Sequence, residues 1–272
     1  MNKLATETPV GWRSSGIVSL LTDFGLADAY VGELKGVLLA HNADARFVDI
    51  THAVDPQSVT QASWLLAHAW RRFPDGTTHV AVVDPGVGTA RRILVAEDGG
   101  HAFLAPDNGL LGPVLSAGAR VFALDQERFA LDGASHTFHG RDLFAPAAAA
   151  LAAGLSPREM GEPLDDWQRA AFPAAEERAD GWCTEVLHID RFGNLITPFE
   201  VPAALRDEGP LQATACGRSM PFVSTYADVA MGDLLALLGS CGTLEISLRD
   251  GDARAALGAQ IGDQVILGRT PR

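Results

Sequence analysis

The sequence predicts an α/β protein, with an N-terminal three-layer α/β/α domain on a mainly parallel sheet and a small antiparallel C-terminal β-barrel domain. Three observations carry this. Short apolar strands alternate with stretches of helical period through the first half, the pattern of a parallel sheet covered on both faces. The composition then changes around residues 165–182, where DDWQRAAFPAAEERADG is charged, alanine-rich and without a clean period. Beyond it, strand-like stretches recur with turn signals between them, the spacing of a small barrel or sandwich. The expected boundaries are 14–168 for the first domain, 169–181 for the linker and 182–270 for the second domain.

A polar leader precedes the first strand signal, Ile17 to Leu21, which ends at Thr22-Asp23-Phe24-Gly25. Ala29 to His41 has apolar residues at helical spacing, Arg46 to Ile50 reads as a strand, and Gln57 to Arg72 as an amphipathic helix. Val80 to Val83 is the third strand, stopping at Asp84-Pro85-Gly86. Ile93 to Ala96 and Ala102 to Leu104 read as strands paired across a Gly-Gly turn. Asp142 to Ala153 is a helix closing at Gly154. In the second half the strand readings are 184–190, 195–197, 211–215, 243–248 and 264–267.

The chain has 272 residues, 47% hydrophobic and 20% charged, enough apolar content for a real core and too much for wholesale disorder. A formal net charge of -13 argues against binding a nucleic-acid backbone, which needs clustered Lys and Arg. No apolar run approaches the ~20 residues that span a bilayer. The opening MNKLATETPVGWRSSG lacks the apolar region of a secretory signal, and the three cysteines are odd in number with no C-x-x-C pair. A cytoplasmic protein without membrane or nucleic-acid partners is the expectation.

In open α/β sheets, ligands bind beyond the carboxyl ends of the strands. The residues just past the predicted strands are Asp23, Asp84 and the turn Pro106-Asp107-Asn108-Gly109. Turn preference alone explains each of these in isolation. Asp84 to Arg92, DPGVGTARR, adds two glycines that allow close backbone approach but lacks the endings of a phosphate-binding loop. Arg91 is placed to fold back on Asp84. His139, in Thr137-Phe138-His139-Gly140-Arg141-Asp142, sits before a glycine and a helix start and is the histidine best set for acid–base work. His68 and His79 read as helix and strand-edge positions. Asp23, Asp84, Asp107, His139 and Asp142 include metal-ligand residue types, but no spacing concentrates them, so no metal is expected.

At these residues the chain resembles the S-adenosylmethionine hydroxide adenosyltransferases, relatives of the adenosylmethionine fluorinases and chlorinases. The resemblance runs through LLTDFGLADAYVGELKG, FVDITHAVDPQSV, VVDPGVGTARR, LAPDNGLL, TFHGRD and HIDRFGNLIT, nearly the whole chain in order. It implies an α/β/α domain and a β-barrel assembled as a homotrimer, with active sites between subunits. The implied reaction is hydrolysis of S-adenosyl-L-methionine to adenosine and L-methionine, with no cofactor beyond the substrate. The implied catalytic set is Asp84, Arg91 and His139: Arg91 stabilises developing hydroxide, Asp84 holds Arg91 and orients water, and His139 accepts a proton. Asp23 matches the ribose-diol carboxylate, Asp190 the acid meeting the methionine ammonium, and Asn194 an adenine contact. Asn108 and Ser240 complete the implied substrate-binding set.

The halogenases carry uncharged residues where Asp84 and His139 stand, and the fluorinase loop between the strands at Ala96 and Ala102 is missing, which favours water as nucleophile. The segments Ser240-Cys241-Gly242-Thr243-Leu244-Glu245-Ile246 and Arg249-Asp250-Gly251-Asp252-Ala253 depart from the family pattern. A non-catalytic S-adenosylmethionine sensor and a halide transferase are the alternative readings.

Overall fold

Several strands of the first half stop where a polar turn interrupts an apolar run. β1 (Ile17–Thr22), β2 (Arg46–Thr51), β3 (Thr78–Val82), β4 (Ile93–Asp98), β5 (His101–Pro106), β6 (Arg120–Leu124) and β7 (Gly161–Pro163) form one seven-stranded sheet in the order β2-β1-β3-β5-β4-β6-β7. The computed structural model describes residues 12–207 and 209–270; the polar leader up to Gly11 lies outside the described residues. The chain divides into two compact units, Met1–Ala171 and Phe172–Arg272.

The pairs β2/β1, β1/β3 and β3/β5 are parallel, whereas β5/β4, β4/β6 and β6/β7 are antiparallel. The sheet is therefore mixed, not mainly parallel as expected. The cause is the Gly99-Gly100 turn, where both residues have positive φ (55° and 82°). This two-residue turn folds β4 directly back on β5 without a crossover helix. The expected paired strands are present; what periodicity did not show is that β6 and β7 extend the antiparallel half.

Helices cover both faces. α1 (Tyr30–His41) buries Val31, Leu34 and Leu38, and α4 (Ala145–Ala152) buries nearly all its alanines. Together they cover Val18, Leu20, Val80, Val82, Ile93, Val95 and Leu104. Strand side chains alternate between faces, so His79 and Phe103 point the other way. There they meet Trp70, which follows α2 (Val59–Ala69). His79 is not at a strand edge: β3 lies between β1 and β5, and the ring is fully buried. α3 (Gln126–Phe129) is a single turn.

The segment before the unit boundary is fastened to the turn after β5. Arg92 Nε donates to Asp107 Oδ2 at 2.9 Å and Nη1 to Asp166 Oδ1 at 2.7 Å, while Gln168 N donates to Asp107 Oδ1 at 2.8 Å. A Cβ on Gly112 would lie 2.2 Å from the carbonyl oxygen of Ala170, so only glycine allows this approach.

The second unit contains β8 (Glu176–Arg178), β9 (Gly181–Glu185), β10 (His188–Ile189), β11 (Leu195–Ile196), α5 (Ala203–Asp207), β12 (Leu211–Ala215), β13 (Arg218–Pro221), β14 (Leu234–Leu238), β15 (Leu244–Leu248), α6 (Ala253–Leu257) and β16 (Gln264–Arg269). They form two antiparallel sheets, β10-β11-β15-β14 and β13-β12-β16-β9-β8. No closed barrel is present among the described residues. Among the described residues, β14 is reached from just past β13 by a single bridge, Phe222 to Ala236, and no continuous ladder joins the sheets. The expected strand 184–190 is broken into β9 and β10, and β8 lies inside the stretch expected as linker. Its three exposed residues carry too little hydrophobic alternation to signal a strand. Val186, Leu195, Leu211, Ala213, Ile246 and Leu267 are among the residues of this unit's core.

Candidate active site

β1 and β3 are parallel neighbours, so their carboxyl ends open on the same edge. Asp23 follows β1 directly and Asp84 lies two residues past β3, and both line a cavity of about 260 Å³ together with Gln57, Phe24, Phe138 and His139. The edge that strand reading placed these acids on is thus a real concavity.

The Asp84–Arg91–His139 set is assembled by two loops. Arg91 folds back on Asp84, with Nε 2.7 and 2.8 Å from the two carboxylate oxygens and Nη2 also bonded to Oδ2. The same Nη2 donates to His139 Nδ1 at 2.9 Å. Side-chain exposure is 8% for Arg91 and 6% for Asp84, so this ion pair is nearly closed to solvent. Such pairing is required there, because an unpaired buried charge is costly. Gly88 makes the crossing possible: it has φ 79°, and a Cβ there would lie 2.5 Å from the carbonyl oxygen of His136.

His139 opens a π-helical turn, Gly140–Phe144, that leads into α4. Asp142 anchors the loop before it, accepting from Ser135 N at 2.8 Å and from Arg141 Nε at 2.6 Å, while its own carbonyl accepts from Leu131 N. Burial, and then the adjacent Arg91 charge, push the His139 pKa below its ordinary value. The ring is therefore neutral near pH 7. Since Nδ1 accepts from Arg91, the imidazole proton sits on Nε2. Arg91 Nη1 is buried and has no hydrogen-bond partner among the described residues.

Asp23 Oδ2 accepts from Gln57 N at 2.8 Å, which leaves the carboxylate on the cavity wall. Asn108 is committed to the fold: Nδ2 donates to Val83 O at 2.9 Å and Oδ1 accepts from Leu110 N at 3.2 Å. It steadies the end of the strand that carries Asp84. Asp190, Asn194 and Ser240 belong to the second unit. There Asp190 Oδ1 accepts from Phe192 N and Asn194 N, and Oδ2 from Asn194 Nδ2, all at 2.9 Å. Ser240 is exposed in the turn between β14 and β15.

Of the acids with metal-ligand chemistry, Asp107 is tied to Arg92 and Gln168, and Asp142 to Arg141. No group of three or more His, Cys, Asp or Glu among the described residues is arranged to hold a metal ion. No helix among them is long and apolar enough to cross a membrane.

Sequence reading missed the aromatic wall. Phe24, Tyr30 and Phe138 pack edge-to-face with centroids 5.1 to 6.2 Å apart, and Phe24 and Phe138 line the cavity. Their places in TDFGLADAY and TFHG, beside the acids and the histidine, were the available signal. Gln57, the predicted helix start, holds Asp23 with its backbone N–H, a role its side chain does not signal.

Comparison with known proteins agrees across both units. The family models described as SAM hydroxide adenosyltransferase N-terminal domain and C-terminal domain match residues 18–161 and 184–266. A protein of Thermus thermophilus named (R)-S-adenosyl-L-methionine hydrolase is 42% identical over 260 residues, covering 92% of this chain and 98% of the relative. One of the same name from Salinispora tropica is 36% identical, covering 91% and 96%. A fluorinase of Actinoplanes sp. is 26% identical, covering 85% and 90%. A conserved protein of Thermotoga maritima with a solved structure superposes with a TM-score of 0.85 at 32% identity, covering 93% of this chain and 100% of that one. With both of its domain models matched in order and relatives this similar end to end, the chain belongs to the SAM hydroxide adenosyltransferase family.

Proposed function

We propose that this protein hydrolyses (R)-S-adenosyl-L-methionine to adenosine and L-methionine. Water attacks ribose C5′ in line with sulfur, the C5′–S electron pair leaves with sulfur, and one water proton is released. The observation that carries this reading is the hydrogen-bonded Asp84–Arg91–His139 set, of which Asp84 and His139 line the cavity that Asp23 also lines. A neutral thioether leaves readily from a sulfonium, so the protein's work is to place and activate oxygen. The relatives' names specify the (R) sulfonium, and because sulfur is the stereocentre next to the reacting carbon, the two epimers present different groups to the cavity.

The hydrogen bonds favour a division of labour. Arg91, behind Asp84 and His139 on the cavity wall, supplies positive charge close to the developing hydroxide. His139 uses its Nδ1 lone pair to hold Arg91, so it cannot also take a proton there without breaking that bond. Asp84, whose oxygens keep further lone pairs, is the acceptor we assign for the water proton. A carboxylate at this place also disfavours a halide nucleophile through like-charge repulsion. Asp23 takes the ribose diol, Asp190, Asn194 and Ser240 are the further substrate contacts, and Asn108 serves the substrate by holding the strand end that carries Asp84.

No cofactor is assigned, because the reaction needs only water. In this proposal the protein is a cytoplasmic homotrimer whose sites are completed between subunits, with an α/β/α domain followed by a small antiparallel β domain. The substrate residues divided between the two units support that assembly, and three unpaired cysteines suit the cytoplasm. The test is to incubate the protein with each separated sulfonium epimer and follow adenosine and methionine. Faster release from the (R) epimer, slowed by Arg91→Ala, is expected. Ligand bound but unchanged after long incubation would leave only a binding role, and halide-dependent 5′-halo-adenosine would replace hydrolysis with halide transfer. Sedimentation equilibrium at three times the chain mass is expected for the trimer.

A further inference from the structure

Asp23 is surrounded by restraints that the reaction chemistry does not use. On one side, Thr22 Oγ1 accepts from Phe24 N at 3.2 Å, fixing the peptide that follows Asp23. Thr22 Oγ1 also lies 2.8 Å from His52 Nδ1. His52 Nε2 lies 3.2 Å from Asp49 Oδ1, and Asp49 Oδ2 accepts from Lys35 Nζ at 2.7 Å. Phe24 N–H donates to the Thr22 hydroxyl and the hydroxyl shares a hydrogen bond with His52 Nδ1, while His52 Nε2 faces Asp49 Oδ1 as a close charge contact without hydrogen-bond geometry. These contacts run from an ion pair on α1 and β2 to the backbone at Asp23. Burial lowers the His52 pKa, which favours the neutral form of that ring.

The backbone of His52 closes the other side, its carbonyl accepting from Gly25 N at 2.7 Å. Further along the same loop, Gln57 has φ 66°, a left-handed conformation that side chains with a Cβ rarely adopt. In that conformation its N–H reaches Asp23 Oδ2 at 2.8 Å. Neither Thr22 nor His52 lines the cavity, whereas Asp23 and Gln57 do. A carboxylate that pairs with two vicinal hydroxyls must present both its plane and its direction correctly, and these contacts set both.

We propose that Thr22 and His52, backed by Asp49 and Lys35, are positioning residues that orient the Asp23 carboxylate and so make the site selective for an intact ribose diol. The inference rests on the reading of Asp23 as the diol carboxylate. It locates the specificity for ribose over 2′-deoxyribose partly in residues that never touch the sugar.

The test compares kcat/KM for S-adenosyl-L-methionine with that for its 2′-deoxy analogue, measured on the same sample. The ratio of the two cancels the fraction of active protein, so a partly destabilised variant still reports. In the wild type, loss of a hydroxyl that the site is built to bind should cost about 10- to 100-fold. Thr22→Val, which keeps the shape and removes the hydroxyl, should shrink that ratio at least about fivefold, raising KM more than it lowers kcat, and Thr22→Ser should restore it. Asp49→Asn, at the half-exposed end, should act in the same direction and serves if Thr22→Val does not fold. Asp23→Asn should erase the ratio. A wild-type ratio in Thr22→Val and Asp49→Asn with an erased ratio in Asp23→Asn overturns the positioning proposal alone. An unchanged ratio in Asp23→Asn overturns the reading of Asp23 and the proposal with it.

Discussion

Arg91 meets two partners with one planar group, and this geometry separates it from lysine. Nε and Nη2 grip the Asp84 carboxylate while Nη2 also reaches His139. A lysine ammonium is a point charge on a flexible stem and cannot hold both at once. Arg91→Lys should therefore lower kcat by about 10- to 100-fold, the scale of one lost electrostatic donor. Arg91→Ala should lower it further and destabilise the fold by about 3–5 kcal/mol, because Asp84 is left charged and buried. Adenosine release and urea unfolding check the two effects separately. His139 admits a sharper distinction. In His139→Asn the side-chain oxygen can replace Nδ1 as acceptor for Arg91, although amide cannot serve as a base. Activity within about tenfold of wild type, against a loss of about 10²–10⁴ in His139→Ala, is expected if His139 holds Arg91; equal, full losses would restore it as the base. The pH dependence has a definite sign as well. Protonating His139 places a cation beside Arg91 and breaks their bond, so kcat/KM should fall on acidification, with the midpoint below the ordinary 6.5 because burial and Arg91 lower that pKa.

Two loops bring these residues together, and glycine decides whether they can approach. Gly88 and Gly133 both have positive φ, 79° and 72°, but their surroundings differ. A Cβ on Gly133 meets nothing within 4 Å, whereas one on Gly88 would strike the backbone at His136. Gly133→Ala should thus cost only the conformational penalty of about 1–2 kcal/mol and leave turnover intact. Gly88→Ala should cost more and also reduce turnover, because the loop bearing Arg91 must draw back from the loop bearing His139. Thermal midpoints and adenosine release for the pair measure this, and equal behaviour of the two variants would exclude the loop contact as a determinant. The contrast also shows what a sequence can express at this scale. DPGVGTARR announces a tight turn at a strand end, since glycine and proline chemistry is local. The partner at His136 is 48 positions beyond Gly88, and no periodicity encodes it. The same holds for β6 and β7: a Gly-Gly hairpin is readable, but which strand pairs next depends on packing contributed from elsewhere. Asp23 and Asp84 were legible because parallel strands deliver their ends to one edge. The aromatic wall and the strained Gln57 were not, because their significance arises only once that edge is folded.

Across the whole molecule, the described residues of the first unit include four buried histidines in settings that resist protonation: His139 of the site, His52, His79 and His101. His79 is fully buried between Ser19 Oγ, 2.6 Å from its Nδ1, and His101 Nδ1, 3.1 Å from its Nε2. Burial, with His101 adding to it, brings the His79 pKa down to about 3, and burial likewise lowers His52 and His101. In the unfolded chain these rings titrate near the ordinary value of about 6.5. Above that pH neither state binds the protons and the histidines do not affect stability. Below it the unfolded chain takes up protons that the native state refuses, so stability falls as pH falls. The slope is about 1.4 kcal/mol per pH unit for each such proton, which amounts to about 2 kcal/mol between pH 6.5 and 5 from His79 alone. Carboxylates act in a different window: Arg141 holds Asp142 below the usual carboxylate range, so that contribution is intact above about pH 4 and is lost only below it. Loss of stability between pH 6.5 and 5 therefore reports the histidines. Urea unfolding at pH 7, 6 and 5 should show a falling free energy with a slope of more than one proton. His79→Phe, whatever it loses at pH 7, should flatten that slope by close to one proton. Constant stability from pH 7 to 5 would mean that these rings are protonated in the native state, and the neutral Ser19–His79–His101 arrangement would have to be abandoned.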